Sequence, residues 1–235
     1  MKMIKTKHIQ QFMLCGLGYM ALVIAPLVLF FASVVHGYPF LDSISQSATV
    51  AGGTLDVLAI CMGALAFFSF AYAKCVSYDR TDAVCTYIMA AGFTTVAAQP
   101  CLSPYLAAER VGVLGLTHGA SGLIHNIGAV VGFGAMILWI TFCFCKSDKP
   151  HEQRTAEKRK RNSIYKVLGI CMIFCAATFI AANTIVTIPH MIFFAEAFML
   201  IPGGIACIIK SGRCGGHWLA DKHITPISQT LKYNL

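Results

Sequence analysis

The chain has 235 residues, of which 57% are hydrophobic and only 12% are charged, and its mean hydropathy is +0.70. Soluble domains carry about 25% charged residues, so this composition excludes an ordinary soluble domain and is typical of a chain that lies in lipid. The formal net charge of +8 does not by itself indicate nucleic-acid binding, because the basic residues fall in short segments between long apolar stretches.

Six stretches are long and apolar enough to form membrane-spanning helices, each of which needs about 20 mostly apolar residues. In chain order they are predicted at residues 12–34, 51–73, 83–99, 119–145, 163–183 and 189–209. Lipid offers no hydrogen-bond partners to the backbone, so only helices or closed barrels can cross it. The sequence therefore predicts an all-α fold, a polytopic membrane helix bundle that forms a single domain over residues 1–235.

The lysine and arginine residues lie almost entirely on one side of this predicted bundle. The amino-terminal tail, the 74–82 loop, the 146–162 loop with Lys166, and the 210–235 tail hold 3, 2, 8 and 4 of them. The other side holds only Arg110. Cytoplasmic loops are the ones that carry such an excess, so we expect both termini in the cytoplasm of a plasma-membrane protein.

The basic cytoplasmic loop predicted at 146–162 contains the run Lys158-Arg159-Lys160-Arg161. Such a run is found in nucleic-acid-binding segments and also beside membrane spans, where each basic residue gains about 1 kcal/mol from anionic lipid. Because this run directly precedes a predicted span, we interpret it as an anchor on anionic lipid. No nucleic-acid partner is expected.

Polar side chains inside predicted spans are costly in hydrocarbon and therefore indicate functional sites. With the orientation above, they all fall in the outer half of the bundle, and the inner halves hold almost no ionisable residue. The candidate ligand-binding residues are Asp56, Gln99, His118, Ser121, His125, Asn126, His190 and Glu196. Since none of the ionisable groups can face lipid cheaply, we expect Asp56, His125 and Glu196 to meet in one outer-half cavity.

Helical spacing indicates which side of the fourth span is polar. His118 and His125 are seven residues apart and share one face, together with Ser121, Gly122, Ala129 and Gly132. The opposite side carries residues that suit lipid, namely Ile124, Ile127, Val131 and Leu138. Gly128 and Gly132 form a small-xxx-small pair, which lets a neighbouring helix come close. We expect this span to be a central helix with its polar stripe turned inward.

Several interpretations of the polar residues are open from the sequence. They could form an interhelical hydrogen-bond network that holds the bundle together, or a pocket, open to the outer leaflet, that binds a lipid head group or a small molecule. Proton-coupled transport is a further alternative, and the lack of polar residues that continue to the inner face counts against it.

A metal site is the enzymatic alternative. His118, His125, His190 and Asp56 could bind zinc, whose bound water would hydrolyse a lipid ester or amide. No His-x-x-x-His or His-Glu-x-x-His pair occurs, so no cofactor is favoured.

Three segments carry a resemblance to a known superfamily. They are residues 39–47 (PFLDSISQS), residues 125–129 (HNIGA), and Glu196 early in the last span. In these motifs and in layout the chain resembles the six-span Frag/DRAM/Sfk-like superfamily and a similar bacterial membrane family of unknown function. Bacterial members tend to have Arg after the Glu, whereas Ala197 follows here. The resemblance implies a six-helix bundle with an outward-facing polar site. Because eukaryotic members of the superfamily are tied to lipid-linked processes, it also favours a lipid as the ligand.

A second resemblance is to the ceramidase-like membrane hydrolases, which use a serine, an aspartate and three histidines in a seven-helix bundle. The matching residues are Ser47, Asp56, His118, His125 and His190. The paired histidines of the final helix in those enzymes are missing, and the predicted helix count is one short. We therefore expect a non-enzymatic membrane protein with a polar binding pocket, with the metal-dependent lipid hydrolase as the alternative.

Overall fold

The structure, a computed structural model, describes residues 2–35, 37–49, 57–105, 109–147, 150–184 and 189–212. Its long helices are α1 (Lys2–Leu29), α2 (Val57–Cys75), α3 (Arg80–Ala98), α4 (His118–Leu138), α5 (Ala156–Thr184) and α6 (Met191–Ser211). Short π-helical segments continue α1 and α4, at Phe30–Val35 and Trp139–Cys143. The predicted all-α fold is confirmed for this part of the chain.

Four of these helices are long and apolar enough to cross a membrane. The qualifying stretches are His8–Val35, Val57–Cys75, His118–Cys143 and Met191–Ser211. Helices α3 and α5, with 19 and 29 residues, are also long enough to cross a membrane. They are more polar, because α3 contains several threonines and α5 begins with the basic run.

The helix boundaries correct the prediction of a basic loop at 146–162. Helix α5 begins at Ala156, so the second half of that segment is helical. Lysine and arginine are good helix formers, and Glu157 in the first turn interacts favourably with the positive end of the helix dipole. Residues 51–56, predicted to open the second span, and residues 213–235 of the predicted tail lie outside the described residues.

The helices pack in a ring around an apolar interior. Helix α1 lies between α2 and α6, α3 lies between α2 and α4, and α5 contacts both α6 and the π-helical end of α4. The interior is filled by large buried side chains, among them Leu65, Met89, Phe93, Met136, Trp139 and Leu200. Large apolar side chains are also exposed around the outside of the ring, including Phe67, Leu123, Val130 and Phe174, as suits a surface in contact with hydrocarbon.

Helices α3 and α4 approach most closely where glycines of both helices meet. A side chain at Gly92 would collide with the backbone of Gly132 and with the carbonyl oxygen of Gly128. The expectation that Gly128 and Gly132 admit a close neighbour is confirmed, and the neighbour is Gly92. This contact fixes the position of α4, and with it the depth of the polar residues at its amino end.

The two ends of the bundle are named here by their buried polar residues. The His125 end contains residues 37–49, the carboxyl end of α3 and the amino ends of α4 and α6. The Asp82 end contains the amino ends of α1 and α3, the carboxyl end of α2 and the π-helical end of α4. Each end brings together residues that are far apart in the sequence.

We expect Gly92→Ala to destabilise the protein by about 1–3 kcal/mol, the usual cost of overpacking, because the colliding atoms belong to backbone and cannot turn aside. The matched control is Gly134→Ala in α4, where an added Cβ meets nothing within 4 Å. Thermal unfolding in detergent should show a lower Tm for Gly92→Ala alone. Equal Tm values for the two variants would contradict the close approach of α3 and α4.

Candidate functional site

Residues 37–49 form a loop that lies across the His125 end of the bundle, and we call it the capping loop. Leu41 and Ile44 of this loop are buried in the apolar core. The loop is also tied to its neighbours by hydrogen bonds: the Phe193 N–H donates to the Asp42 carbonyl at 2.8 Å. The capping loop is therefore an integral part of the packed structure at this end.

Glu196 of α6 is the buried acid beneath the capping loop, with only 8% of its surface exposed. Its Oε2 accepts the backbone N–H of Ile44 at 2.6 Å and, more weakly, that of Ser45 at 3.4 Å. Its Oε1 lies 2.9 Å from the hydroxyl oxygen of Ser45. Burying a carboxyl group without such partners would cost several kcal/mol. The capping loop offsets this cost by supplying hydrogen-bond partners to Glu196.

His125 of α4 is 2% exposed and has a partner at each ring nitrogen. Its Nδ1 lies 2.7 Å from the backbone carbonyl oxygen of Gln99, and its Nε2 lies 3.0 Å from the Ser45 hydroxyl oxygen. A carbonyl oxygen can only accept, so Nδ1 carries a hydrogen and donates to Gln99. The Nε2 atom therefore faces the Ser45 hydroxyl and can either donate to it or accept from it, according to the charge of His125.

The Ser45 hydroxyl bridges Glu196 and His125 with a single proton of its own. In one arrangement it donates to a Glu196 carboxylate and accepts from a charged His125. In the other it donates to a neutral His125 and accepts from a protonated Glu196. Both arrangements hold the same number of protons, so the three side chains form a relay between carboxyl and imidazole.

Gln99 lies beside this relay at the carboxyl end of α3 and is 1% exposed. Its side-chain Oε1 is 3.2 Å from the hydroxyl oxygen of Ser121. Its amide nitrogen, Nε2, is buried and has no hydrogen-bond partner among the described residues, and neither has the Ser47 hydroxyl. A buried donor without a partner costs about 1–3 kcal/mol. An acceptor bound at this end would therefore be stabilised by hydrogen bonds from these two groups.

The structure brings together only some of the residues that the sequence put forward. Gln99, Ser121, His125 and Glu196 join through Ser45 and the Gln99 backbone. Four residues of the inward stripe predicted for α4 are buried, namely Ser121, Gly122, His125 and Gly132. The other two, His118 and Ala129, are half-buried.

Three further candidates lie elsewhere. His118 is half-buried at the start of α4, and Asn126 is exposed on the outward side of that helix, so Asn126 does not contribute to the cluster. His190 lies at the rim, where its Nδ1 is 3.1 Å from the Leu41 carbonyl oxygen. Asp56, expected to meet His125 and Glu196, lies outside the described residues.

The sequence left open a metal site formed by three histidines and Asp56. Within the described residues, no three His, Cys, Asp or Glu side chains gather closely enough to hold a metal ion. His118, His125 and His190 therefore do not converge. Asp56, the fourth ligand of that alternative, falls in the segment that the structure does not describe.

Ser45 is the site residue that sequence reasoning missed. Polar residues indicate a site only where they fall within predicted spans, and Ser45 lies in the loop between the first and second of these spans. A signal was nevertheless present, since Ser45 belongs to the PFLDSISQS segment at residues 39–47 that carries the superfamily resemblance. Ser47, matched earlier to a hydrolase serine, points to no partner within the described residues.

A second buried polar cluster lies at the Asp82 end, and it corrects the expectation that this half of the bundle holds almost no ionisable residue. Asp82, in the first turn of α3, is 2% exposed. Its carboxylate accepts from the indole N–H of Trp139, from the Tyr72 hydroxyl at 3.0 Å and from the Tyr78 backbone at 2.6 Å. The sequence placed Asp82 in a loop, because the helix boundary was set one residue beyond it.

Asp79 and Lys146 add an ion pair at the rim of this second cluster, with 2.6 Å between Oδ2 and Nζ. Burial raises the pKa of Asp79, but hydrogen bonds from Lys146 and from the Asp82 amide outweigh it, so that pKa lies below its usual value. Burial lowers the pKa of Lys146, and its bond to Asp79 outweighs this and raises it. The pair is therefore charged at neutral pH and links the start of α3 to the end of α4.

We expect Glu196→Ala to loosen the capping loop, because it removes the acceptor for the Ile44 and Ser45 backbone N–H groups at a cost of about 1–3 kcal/mol. Hydrogen–deuterium exchange followed by mass spectrometry should show faster exchange across residues 37–49. The control is Glu109→Ala, an exposed carboxylate at the same end of the bundle. Unchanged exchange in Glu196→Ala would show that the loop does not depend on this contact.

The chain was compared with protein-family models, curated proteins and solved structures. No protein-family model, curated protein or solved structure matches the chain.

Proposed function

We propose that the chain is an integral membrane protein that crosses the membrane six times, with both termini and the Asp82 end in the cytoplasm. Four helices are long and apolar enough to span, and α3 and α5 pack among them in the same ring. A 19-residue helix such as α3 is about 28 Å long, close to the thickness of the hydrocarbon core. The one-sided distribution of basic residues supports the orientation.

Basic side chains at the Asp82 end support contact with anionic lipid. Arg159, Lys160 and Lys166 are exposed along the amino-terminal half of α5. On a helix that enters the membrane at this point, such side chains lie at the level of the lipid head groups. Each gains about 1 kcal/mol near an anionic surface.

The orientation predicts opposite accessibility for two engineered cysteines. In whole cells, a membrane-impermeant maleimide should modify Val113→Cys, at an exposed position between α3 and α4, and should modify Arg159→Cys only after lysis. The unchanged protein gives the baseline for the native cysteines. Modification of Arg159→Cys in intact cells would overturn the orientation.

Within this topology, the His125 end is the binding site for a lipid head group or a small molecule that offers an oxygen acceptor. The observation that carries this function is the buried Gln99 amide nitrogen, which has no acceptor among the described residues. The Ser47 hydroxyl of the capping loop likewise has no partner among the described residues. Most buried polar groups in native proteins have a hydrogen-bond partner, and a ligand oxygen would supply the one that the Gln99 amide lacks.

Proton-coupled transport finds less support from the same residues. The relay at the His125 end and the Asp82 cluster lie at opposite ends of the bundle, and the interior between them is apolar. The side chains that fill it include Met89, Phe93, Met136 and Leu200. A proton path needs polar groups or water through that layer.

We expect Gln99→Leu to lose a ligand that co-purifies with the unchanged protein, because the substitution removes the free donor and keeps the side-chain size. Native mass spectrometry from a mild detergent should detect one ligand per chain, and extraction into organic or aqueous solvent distinguishes a lipid from a water-soluble molecule. The matched control is Gln153→Leu, at an exposed position near the Asp82 end. An unliganded wild type, or full retention by Gln99→Leu, would contradict the proposal.

A further inference from the structure

We propose that Ser45 is a nucleophile and that His125 is its general base, so that the His125 end hydrolyses the ester bond of a lipid. This inference rests on the ligand site proposed above and adds a reaction to it. It needs no metal ion, and therefore differs from the zinc-dependent alternative that the histidines suggested in the sequence.

The distance between nucleophile and base is the first support. Ser45 Oγ lies 3.0 Å from His125 Nε2, within the range of about 2.6–3.2 Å over which a base can take the proton of a nucleophile. Ser45 is half-exposed, whereas His125 is buried. The base is thus shielded from water.

A third group orients the base, as the geometry of such a pair requires. The Gln99 carbonyl oxygen lies 2.7 Å from His125 Nδ1 and accepts its hydrogen. This bond leaves the lone pair of neutral His125 on Nε2, directed at Ser45. In serine hydrolases a carboxylate has that role, and here a backbone carbonyl takes its place.

Glu196 acts as a positioning residue in this scheme. It holds the Ile44 and Ser45 backbone N–H groups, which sets the direction of the Ser45 side chain. When Glu196 is protonated, it donates to Ser45 Oγ, and the Ser45 proton then points to His125. That arrangement of the relay is the one from which attack begins.

The reaction balances with water as the only second reactant. Ser45 Oγ bonds to the ester carbonyl carbon while its proton moves to His125 Nε2. The carbon–oxygen bond to the alcohol then breaks, and the alcohol takes that proton. Water, deprotonated by His125, attacks the acylated Ser45, releases the carboxylic acid and restores the hydroxyl.

A lipid ester fits the surroundings of Ser45 better than a water-soluble ester. Phe40 of the capping loop and Phe194 of α6 are exposed, and their ring centroids lie 5.8 Å apart. They offer an apolar surface to an acyl chain. The site also lies near the ends of α4 and α6, the level at which glycerolipid esters occur if these helices span the bilayer.

The test is covalent labelling of the full-length detergent-solubilised protein with a fluorophosphonate bearing an alkyl chain. Peptide mass spectrometry should find the adduct on Ser45. Labelling should vanish in Ser45→Ala and persist in Ser163→Ala, a matched change at an exposed serine of α5. His125→Ala should slow it by about 100-fold or more, the usual contribution of a general base.

Comparing Glu196→Gln with Glu196→Ala tests whether Glu196 positions Ser45. Its amide can donate to Ser45 Oγ while its oxygen accepts the Ile44 N–H, so labelling should stay within about tenfold of wild type, whereas Glu196→Ala should lose it. Thermal unfolding establishes that each variant is folded.

Absence of label on folded wild type, or label on another residue, would overturn the inference. If the protein retains a ligand that depends on Gln99 but Ser45 does not react, the binding function stands and only the hydrolase inference fails.

Discussion

A carboxyl group buried between apolar helices must have hydrogen-bond donors, and the His125 end of this protein is organised around that requirement. Glu196 projects from α6 into a region where water does not reach it. The donors come from the capping loop, whose Ile44 and Ser45 N–H groups converge on its carboxylate. Once the loop is held in this way, the Ser45 hydroxyl lies between Glu196 and His125. One electrostatic constraint thus links three segments that are distant in the chain.

The helix bundle supplies the rigidity that such a cluster needs. The backbones of α3 and α4 come together at Gly92 and Gly132, so the Gln99 carbonyl at the end of one helix reaches His125 on the other. At the opposite end, Asp82 accepts hydrogen bonds from Trp139, Tyr72 and the Tyr78 backbone. Both of its carboxylate oxygens have a partner there. Beside the relay, by contrast, the Gln99 amide nitrogen and the Ser47 hydroxyl have no hydrogen-bond partner among the described residues.

Binding and reaction at the His125 end would use different parts of the same residues. The proposed ligand is held by the free amide of Gln99, whereas its backbone carbonyl orients His125. Glu196 likewise holds the capping loop in the fold and, in the proposed reaction, would direct the Ser45 proton.

The sequence by itself determined the helical class, the positions of most helices and the inward stripe of α4, because the cost of polar groups in hydrocarbon acts locally along each helix. It also identified Gln99, His125 and Glu196 as candidates. It did not place Ser45 with them, nor bring Asp82 inside the bundle, and it included Asn126, which is exposed. Those outcomes depend on how a loop folds back over the bundle and how helices rotate against one another. Only tertiary packing decides them, since no local pattern encodes which distant donor meets a buried acid.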